Sequence, residues 1–414
     1  MGSASRRRHR VYGALGGAVA LVVAVAGCGS APSPSRSPAP GSAVPASPLG
    51  AVRAPELDAP WPGFGRDVRH AAVSPATGPQ TGRVRWRRQL EGPVVPGPAV
   101  GRDGTVYAAS NAGTLHALDG ATGRDRWTYD GGGAYGVDLS TTPAVLATGT
   151  VLWPGPRDAL HALDARSGRL LWRAPFAAQP LSPLVDGDRV YVQDAGGTLT
   201  ALRLRGRAAP RRLWSLHLGT SSYASAALGR DGTVYTAADD TLFAVRDGRV
   251  RWRVKTRGLV EVSPAVASDG TVTVGSNDRS QYGVSPAGKV RWRHDLGDLT
   301  YSSAATTPDG LVYVGDHRGQ VSALDARTGR LRYRVLGRGR TAREKNVGVW
   351  TMPVVDARHD VYFGTHLGHL HGFDARARRL LDVDLGGVVD SYPALTADGT
   401  LIVGSESGTL LALG

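Results

Sequence analysis

The chain has 414 residues, of which 41% are apolar, 56 are glycine and one is cysteine. That apolar fraction is enough to build a packed core, so a chain disordered throughout is excluded. A single cysteine excludes an internal disulfide, a cysteine-based zinc site and a cysteine redox pair. The formal charge of +14 resembles that of nucleic-acid-binding proteins, so its distribution along the chain has to be considered.

The first 28 residues carry the pattern of an export signal. Residues 6–10 contain four arginines, and residues 11–27 are uncharged and mostly Ala, Val, Leu and Gly. The segment ends Val-Ala-Gly-Cys28, which resembles a bacterial lipobox, in which the cysteine is lipid-modified and becomes the new N-terminus. We predict a lipoprotein signal peptide over residues 1–28, with lipid attached at Cys28. An ordinary signal peptide with an incidental cysteine is the alternative.

Residues 29–60 are rich in Pro, Ser, Ala and Gly. Such a composition cannot bury a core, so we predict a disordered linker over 29–60. Anchor and linker together predict an extracytoplasmic domain, held at the outer face of the cell membrane, or in the periplasm if the host has an outer membrane.

From residue 61 onwards the chain repeats one unit. Each unit ends in an aromatic residue, and successive aromatics lie 38 to 45 positions apart. These aromatics are Trp86, Trp127, Trp172, Trp214, Trp252, Trp292 and Tyr333. In the next unit we place Asp382 at this position, as the one departure in the series.

Each unit contains four short runs with strand character. The second run often follows an Asp-Gly pair, as at Asp103-Gly104, and the third reads Leu-x-Ala-Leu-Asp in several units. Asp-Gly between strands is a hairpin signal, and four strands per unit are typical of a β-propeller blade. The last unit lacks its fourth run, which segment 81–86 supplies. We therefore predict an all-β, eight-bladed β-propeller with four-stranded antiparallel blades over 61–414, its last blade closed by strands from both termini.

The units resemble the tryptophan-docking repeat of the pyrroloquinoline-quinone-like (quinoprotein-type) β-propellers. The resemblance rests on the runs ALDGATGRDRW at 117–127 and ALDARSGRLLW at 162–172, and it covers about residues 61–414. It implies that the aromatic of each unit packs between adjacent blades, supported by the Asp and the Thr-Gly turn.

The resemblance also raises the question of a cofactor. Dehydrogenases of this family hold pyrroloquinoline quinone (PQQ) and Ca²⁺ over the propeller axis, and many alcohol-oxidising members set a disulfide of adjacent cysteines against the quinone. This chain has one cysteine, and no segment matches the Glu–Asn calcium cage or the Asp base. We therefore expect no cofactor, with PQQ and Ca²⁺ as the alternative.

Three histidines, His366, His369 and His371, fall within six residues. On a strand, His369 and His371 share one face, as metal ligands would. However, His371 aligns with His116 and His161 of other units, which indicates a packed repeat position. We expect no metal site at these histidines.

The positions three residues before the first run of each unit are expected to ring one mouth of the central channel. They are Val95, Ser140, Pro180, Tyr223, Glu261, Tyr301, Trp350 and Asp390. The aromatic and acidic members form a candidate binding surface, namely Tyr223, Glu261, Tyr301, Trp350 and Asp390. The arginine-rich stretch 337–345 is expected to overhang the same mouth. The alternative is an irregular, wet rim that binds nothing.

Two functions fit these features. The first is a lipid-anchored, non-catalytic binding or scaffold protein at the cell envelope, with a protein or envelope component as partner. Its size, anchor and blade number are similar to those of the lipoprotein subunit of the outer-membrane β-barrel assembly machinery. The second is an exported quinoprotein oxidoreductase. Many arginines fall on the signal peptide or on the fourth runs, and this spread argues against nucleic acid as a partner. We expect the protein to be a monomer.

Replacing Cys28 with serine tests the lipid anchor. In cells fed an alkyne-bearing fatty acid, the wild-type protein is expected to become labelled, because the thiol is the acylated atom, whereas Cys28→Ser protein is expected to remain unlabelled. Immunoblotting controls for expression. Equal labelling of the two proteins would contradict the prediction.

Overall fold

A computed structural model describes residues 58–135, 141–337 and 347–414, in which every helix or strand element is a β-strand. The 32 strands form eight four-stranded antiparallel sheets. In seven sheets the order across the sheet follows the chain, and the eighth combines three C-terminal strands with the first strand. The predicted all-β, eight-bladed propeller is confirmed, including the blade shared by both ends.

The strands take four positions within a blade, and each position recurs from blade one to blade eight. First strands are β2 (Ala99–Val100), β6 (Ala144–Leu146), β10 (Leu184–Asp186), β14 (Ala227–Leu228), β18 (Ala265–Val266), β22 (Ala305–Thr306), β26 (Val354–Val355) and β30 (Ala394–Leu395). Second strands are β3 (Thr105–Ser110), β7 (Thr150–Gly155), β11 (Arg189–Gln193), β15 (Val234–Ala238), β19 (Val272–Ser276), β23 (Leu311–Gly315), β27 (Val361–Gly364) and β31 (Leu401–Gly404). Third strands are β4 (Thr114–Asp119), β8 (Ala159–Asp164), β12 (Thr198–Arg205), β16 (Thr241–Arg246), β20 (Ser280–Val284), β24 (Gln320–Asp325), β28 (His369–Phe373) and β32 (Thr409–Leu413). Fourth strands are β5 (Asp125–Asp130), β9 (Leu170–Pro175), β13 (Ala208–His217), β17 (Arg249–Lys255), β21 (Val290–Asp295), β25 (Leu331–Leu336), β29 (Arg379–Asp384) and β1 (Val84–Gln89).

Burial explains the composition of each position. The second strands are almost entirely buried because both faces pack against neighbouring blades, so they read as continuous runs such as TVYAAS. The fourth strands alternate between buried or half-buried and exposed residues, as in DRWTYD. Because both faces of the second strands are buried, the hydrophobic core lies between neighbouring blades.

The ring closes where β1 pairs with β32. Trp86 lies opposite Ala412 and Gln89 opposite Thr409 in an antiparallel register. The Gln89 side chain also donates to the Ser407 carbonyl at 2.7 Å. Pairing between distant parts of the chain leaves no open blade between first and last units.

The repeated tryptophans contact the turn between third and fourth strands of the next blade. Four indole Nε1 atoms donate to a turn carbonyl at 2.8–2.9 Å: Trp86 to Gly120, Trp127 to Ala165, Trp252 to Pro286, and Trp292 to Ala326. A glycine with positive φ, such as Gly329 (φ 69°), lies against the ring, and a Cβ there would approach Trp292 to 2.6 Å. Trp172 is buried, yet its Nε1 makes no hydrogen bond within the described residues.

The register corrects the position assigned to Asp382. In the other seven blades the aromatic lies opposite a small residue beside a β-bulge, as Trp127 does opposite Ala117. In blade seven the residue opposite Gly372 is Leu381, which is buried, while Asp382 lies opposite His371. The sequence alignment was one residue out of register, because the leucine lacks the aromatic signal.

Residues 58–80, which we call the lead-in, run along the inner edges of the blades. In six blades the second residue of the first strand donates its main-chain N–H to a lead-in carbonyl. These bonds join Val100 to Trp61 (2.7 Å), Val145 to Pro62 (2.7 Å), Leu228 to Val68 (2.6 Å), Val266 to Arg69 (2.9 Å), Thr306 to Ala71 (2.9 Å) and Val355 to Ala72 (3.0 Å). The lead-in thus satisfies strand edges that no other strand reaches.

The end of the lead-in is held by two buried carboxylates of blade seven. The Gly78 N–H donates to Asp356 Oδ2 at 2.8 Å, and Gln80 Nε2 donates to Asp360 Oδ2 at 3.0 Å. Arg358 also pairs with Asp360 at 2.9 Å. Burial and the neighbouring Asp356 raise the pKa of Asp360 to about 7 despite that arginine.

Removing one docked indole should weaken the ring. Trp292→Ala is expected to lower the free energy of unfolding by about 3–5 kcal/mol, as aromatic truncations in cores do. Trp292→Phe, which keeps most of the ring contact and loses the bond to Ala326, is expected to lose about 1 kcal/mol. Urea unfolding followed by tryptophan fluorescence measures both, and equal midpoints for Trp292→Ala and wild type would contradict the docking role.

The raised pKa of Asp360 predicts a pH dependence of stability. Between about pH 4 and 7 the folded state binds a proton that the unfolded state releases, so this contribution is present at low pH and is lost as pH rises through about 7. Asp360→Asn is expected to be more stable than wild type at pH 8, with the difference shrinking towards pH 5. Melting curves of the two proteins between pH 5 and 8 test this, and parallel curves would refute it.

Candidate functional site

One face of the ring carries the connections between blades together with the loops between second and third strands. We call this face the mouth. Main-chain bonds fix these two kinds of loop against each other: Val349 N–H donates to the Asp316 carbonyl at 2.9 Å, and His317 N–H donates to the Leu299 carbonyl at 2.9 Å. Side chains from adjacent blades are therefore brought together at the mouth by the backbone itself.

An aromatic cluster crosses the mouth between blades six and seven. The Tyr301 ring lies 4.8 Å from that of Trp350 and 4.9 Å from that of His317, measured between ring centroids. Trp350 stacks on His317 at 5.3 Å with an interplanar angle of 11° and contacts the His366 ring at 3.9 Å. Two of the predicted residues, Tyr301 and Trp350, thus contact each other. His317 packs against both rings, and His366 packs against Trp350.

The cluster continues to blade eight through a carboxylate. His366 Nε2 lies 2.8 Å from Asp390 Oδ1, and the two side chains are only 8% and 11% exposed. The contact has the distance of an ion pair, although its direction does not suit a hydrogen bond. Asp390 is thereby connected to Trp350, on which His366 packs.

The remaining two predicted residues lie on the side of blades four and five. Tyr223 is 45% exposed, and Leu259, on the next connection, is 49% exposed. Glu261 accepts a hydrogen bond from Asn277 Nδ2 at 2.5 Å. This side of the mouth therefore offers exposed apolar surface next to a held carboxylate.

Two other predicted rim positions, Val95 and Pro180, are buried. Ser140, residues 338–345 of the arginine-rich stretch 337–345, the predicted signal peptide with Cys28, and residues 29–57 of the predicted linker lie outside the described residues.

Burial sets the charge state of the cluster. It lowers the pKa of His317, helped by repulsion from His366, so this ring is neutral at neutral pH. It raises the pKa of Asp316 to about 6, although the main-chain N–H groups of Arg318 and Gln320 donate to that carboxylate. The ring of His317 is thus an uncharged member of the cluster, next to the rings of Trp350 and Tyr301.

Several buried polar atoms at the mouth make no hydrogen bond within the described residues. They are Trp350 Nε1, His317 Nε2, Asn277 Oδ1 and Asp316 Oδ2. Buried polar groups in native proteins are nearly always satisfied, so such atoms mark places where a further partner is expected.

Three features of the structure bear on a quinone or metal cofactor. In residues 58–135, 141–337 and 347–414, no three His, Cys, Asp or Glu side chains gather as metal ligands. One face of the Trp350 ring is covered by the stacked His317. His369 and His371 stack at 5.9 Å beside Asp382, and burial lowers the pKa of His371 to about 4.

Sequence reasoning did not assign His317, His366, Asn277 or Leu259 to the mouth, although it considered His366 as a metal ligand. The first three occupy equivalent positions in the loop after the second strand of their units, so an alignment of these loops would have identified them as neighbours.

In the part of the chain that the structure describes, no helix is long and apolar enough to cross a membrane.

Comparisons with known proteins agree with this architecture. A family model described as outer membrane protein assembly factor BamB matches residues 71–137, 131–224 and 207–414. A search of curated proteins returned no match. Among solved structures, BamB from Moraxella catarrhalis is 19% identical with a TM-score of 0.64, and the match covers 80% of this chain and 96% of that one.

Quinoprotein structures share the fold as well. Quinohemoprotein alcohol dehydrogenase from Comamonas testosteroni is 14% identical with a TM-score of 0.67, over 85% of this chain and 80% of that one. A europium-containing methanol dehydrogenase is 14% identical with a TM-score of 0.66, over 84% and 89% of the two chains. The family model spans nearly the whole ring, and the chain belongs to the BamB-like family of PQQ-like β-propeller repeat proteins.

Proposed function

We propose that this protein is a lipid-anchored, extracytoplasmic β-propeller that binds a protein partner at its mouth and acts as a non-catalytic scaffold of the cell envelope. The anchor is the lipid on Cys28 predicted from the lipobox, followed by the linker 29–60. The match to a family described as an outer membrane protein assembly factor supports an envelope role. In a host with an outer membrane the domain would be periplasmic.

The observation that carries this proposal is the composition of the mouth. Tyr223 and Leu259 are exposed on the side of blades four and five, and the Tyr301–Trp350 cluster lies between blades six and seven. We call these aromatic and apolar side chains together the strip. Protein interfaces are enriched in such aromatic residues, which act as anchors when a partner excludes water from them.

The partner's chemistry follows from the charges beside the strip. Glu261 follows exposed Leu259 by two positions, so a basic side chain of the partner gains a carboxylate next to apolar surface. A protein surface with exposed Arg or Lys next to apolar residues therefore suits the mouth better than an acidic one.

Site-specific photocrosslinking tests the proposal. A photoreactive phenylalanine at Tyr223 is expected to yield one reproducible adduct with an envelope protein in living cells, because this side chain is 45% exposed on the strip. The matched control is Val250, which is 40% exposed but lies on fourth strand β17 of blade four. Adducts at both positions, or at neither, would count against a partner at the mouth.

The alternative function, an exported quinoprotein oxidoreductase, rests on the shared fold of the dehydrogenases. Purified protein mixed with PQQ and Ca²⁺ and assayed for dye reduction with alcohols and sugars decides between the two. Turnover above the quinone-only background would overturn the scaffold proposal, whereas its absence together with the Tyr223 adduct would support it.

A further inference from the structure

Among the described residues, the lead-in bonds to six of the eight inner strands, and β10 of blade three is one of the two that it misses. It bonds to blade two through Pro62 and next to blade four through Val68, so it passes over blade three. Between these points the chain turns back on itself, with Arg66 N–H donating to the Gly63 carbonyl and Gly65 and Arg66 both at positive φ. Strand β10 of blade three therefore receives no carbonyl from residues 58–80 of the described chain.

The group on β10 that corresponds to the lead-in donors of other blades is the main-chain N–H of Val185. Val185 lies opposite Val190, the same register position that Val100 has opposite Val106 in blade one. In an antiparallel pair, hydrogen-bonded and non-bonded positions alternate, so these residues direct their N–H away from the second strand. Val100 gives its N–H to the lead-in, whereas among the described residues no such bond forms at Val185.

A cleft of about 1040 Å³ opens beside this edge. Partly exposed apolar side chains line it from three directions: Val68 of the lead-in, Leu146 of blade two, and Val185 and Leu204 of blade three. The other inner strand without a lead-in bond, β30, differs because its Leu395 is fully buried. At blade three, an inner edge without a lead-in bond therefore meets an open cleft lined by partly exposed apolar side chains.

We propose that this cleft binds an extended peptide segment of a partner protein, which adds to β10 as a short strand. The lead-in shows the mode of binding on the same molecule, because its own peptide carbonyls accept from the equivalent N–H in six blades. An incoming main-chain carbonyl takes the Val185 N–H, and alternate apolar side chains pack on Val68, Leu146 and Leu204. This site is separate from the mouth, since it lies at the turns between first and second strands.

A random dodecapeptide library displayed on phage and selected on the purified full chain tests the inference. Selected peptides are expected to bind Val185→Pro at least about tenfold more weakly, because proline has no N–H to donate and is tolerated at a strand edge. Val185→Ala, which keeps the N–H and trims the side chain, is the matched control and is expected to bind within about threefold of wild type.

Hydrogen exchange of the wild-type protein provides a second measurement, which does not depend on whether the Val185→Pro variant folds. Addition of a selected peptide is expected to slow exchange in residues 184–186 and to leave the loop at 316–319 on the mouth unchanged. A library that yields no binders, peptides that bind Val185→Pro as well as wild type, or protection confined to the mouth would each overturn the proposal.

Discussion

The contact on which the ring depends is an indole lying on the turn of the next blade. The indole N–H reaches a turn carbonyl, and its ring covers a glycine whose Cβ, if present, would lie within 3 Å of the ring, as at Gly123 and Trp86. Each blade is thereby held at a set distance from its neighbour near the periphery. Nearer the axis, hydroxyl groups serve the same purpose, as where Thr142 N–H donates to Ser182 Oγ at 2.8 Å. Peripheral and axial contacts together bring the inner strand edges into line, which is why one segment of chain can bond to six of them in succession.

Much of the fold could be predicted because its signals are local and repeated. Tryptophan spacing, Asp-Gly hairpins and Thr-Gly turns each report on a few neighbouring residues, and their recurrence in several blades reinforces them. The blade-seven position was misplaced because Leu381 fills the aromatic site by burial alone. The path of the lead-in could not be predicted in this way, because its hydrogen bonds use main-chain carbonyls, which every residue type has.

The mouth was predictable only in part. The spacing before the first strands predicted Tyr301, Trp350 and Asp390 as mouth residues. It could not predict their contacts with His317 and His366, because these histidines lie on the loops between second and third strands. The two faces also differ in chemistry. The mouth carries aromatic and acidic side chains, whereas the face crossed by the lead-in carries the main-chain N–H of Val185 beside an apolar cleft. Binding at the two faces would therefore rest on different chemistry.

Closure of the ring by β1 and β32 has a consequence for how the protein folds. Gln89 and Thr409, which meet at this seam, are 320 positions apart. Blade eight therefore stays incomplete until β32 has been synthesised. Until then, β1 has no partner strand in blade eight. Such long-range pairing is slow, and an unpaired edge is open to association with other chains. A newly made chain should therefore need protection by chaperones until the seam has formed.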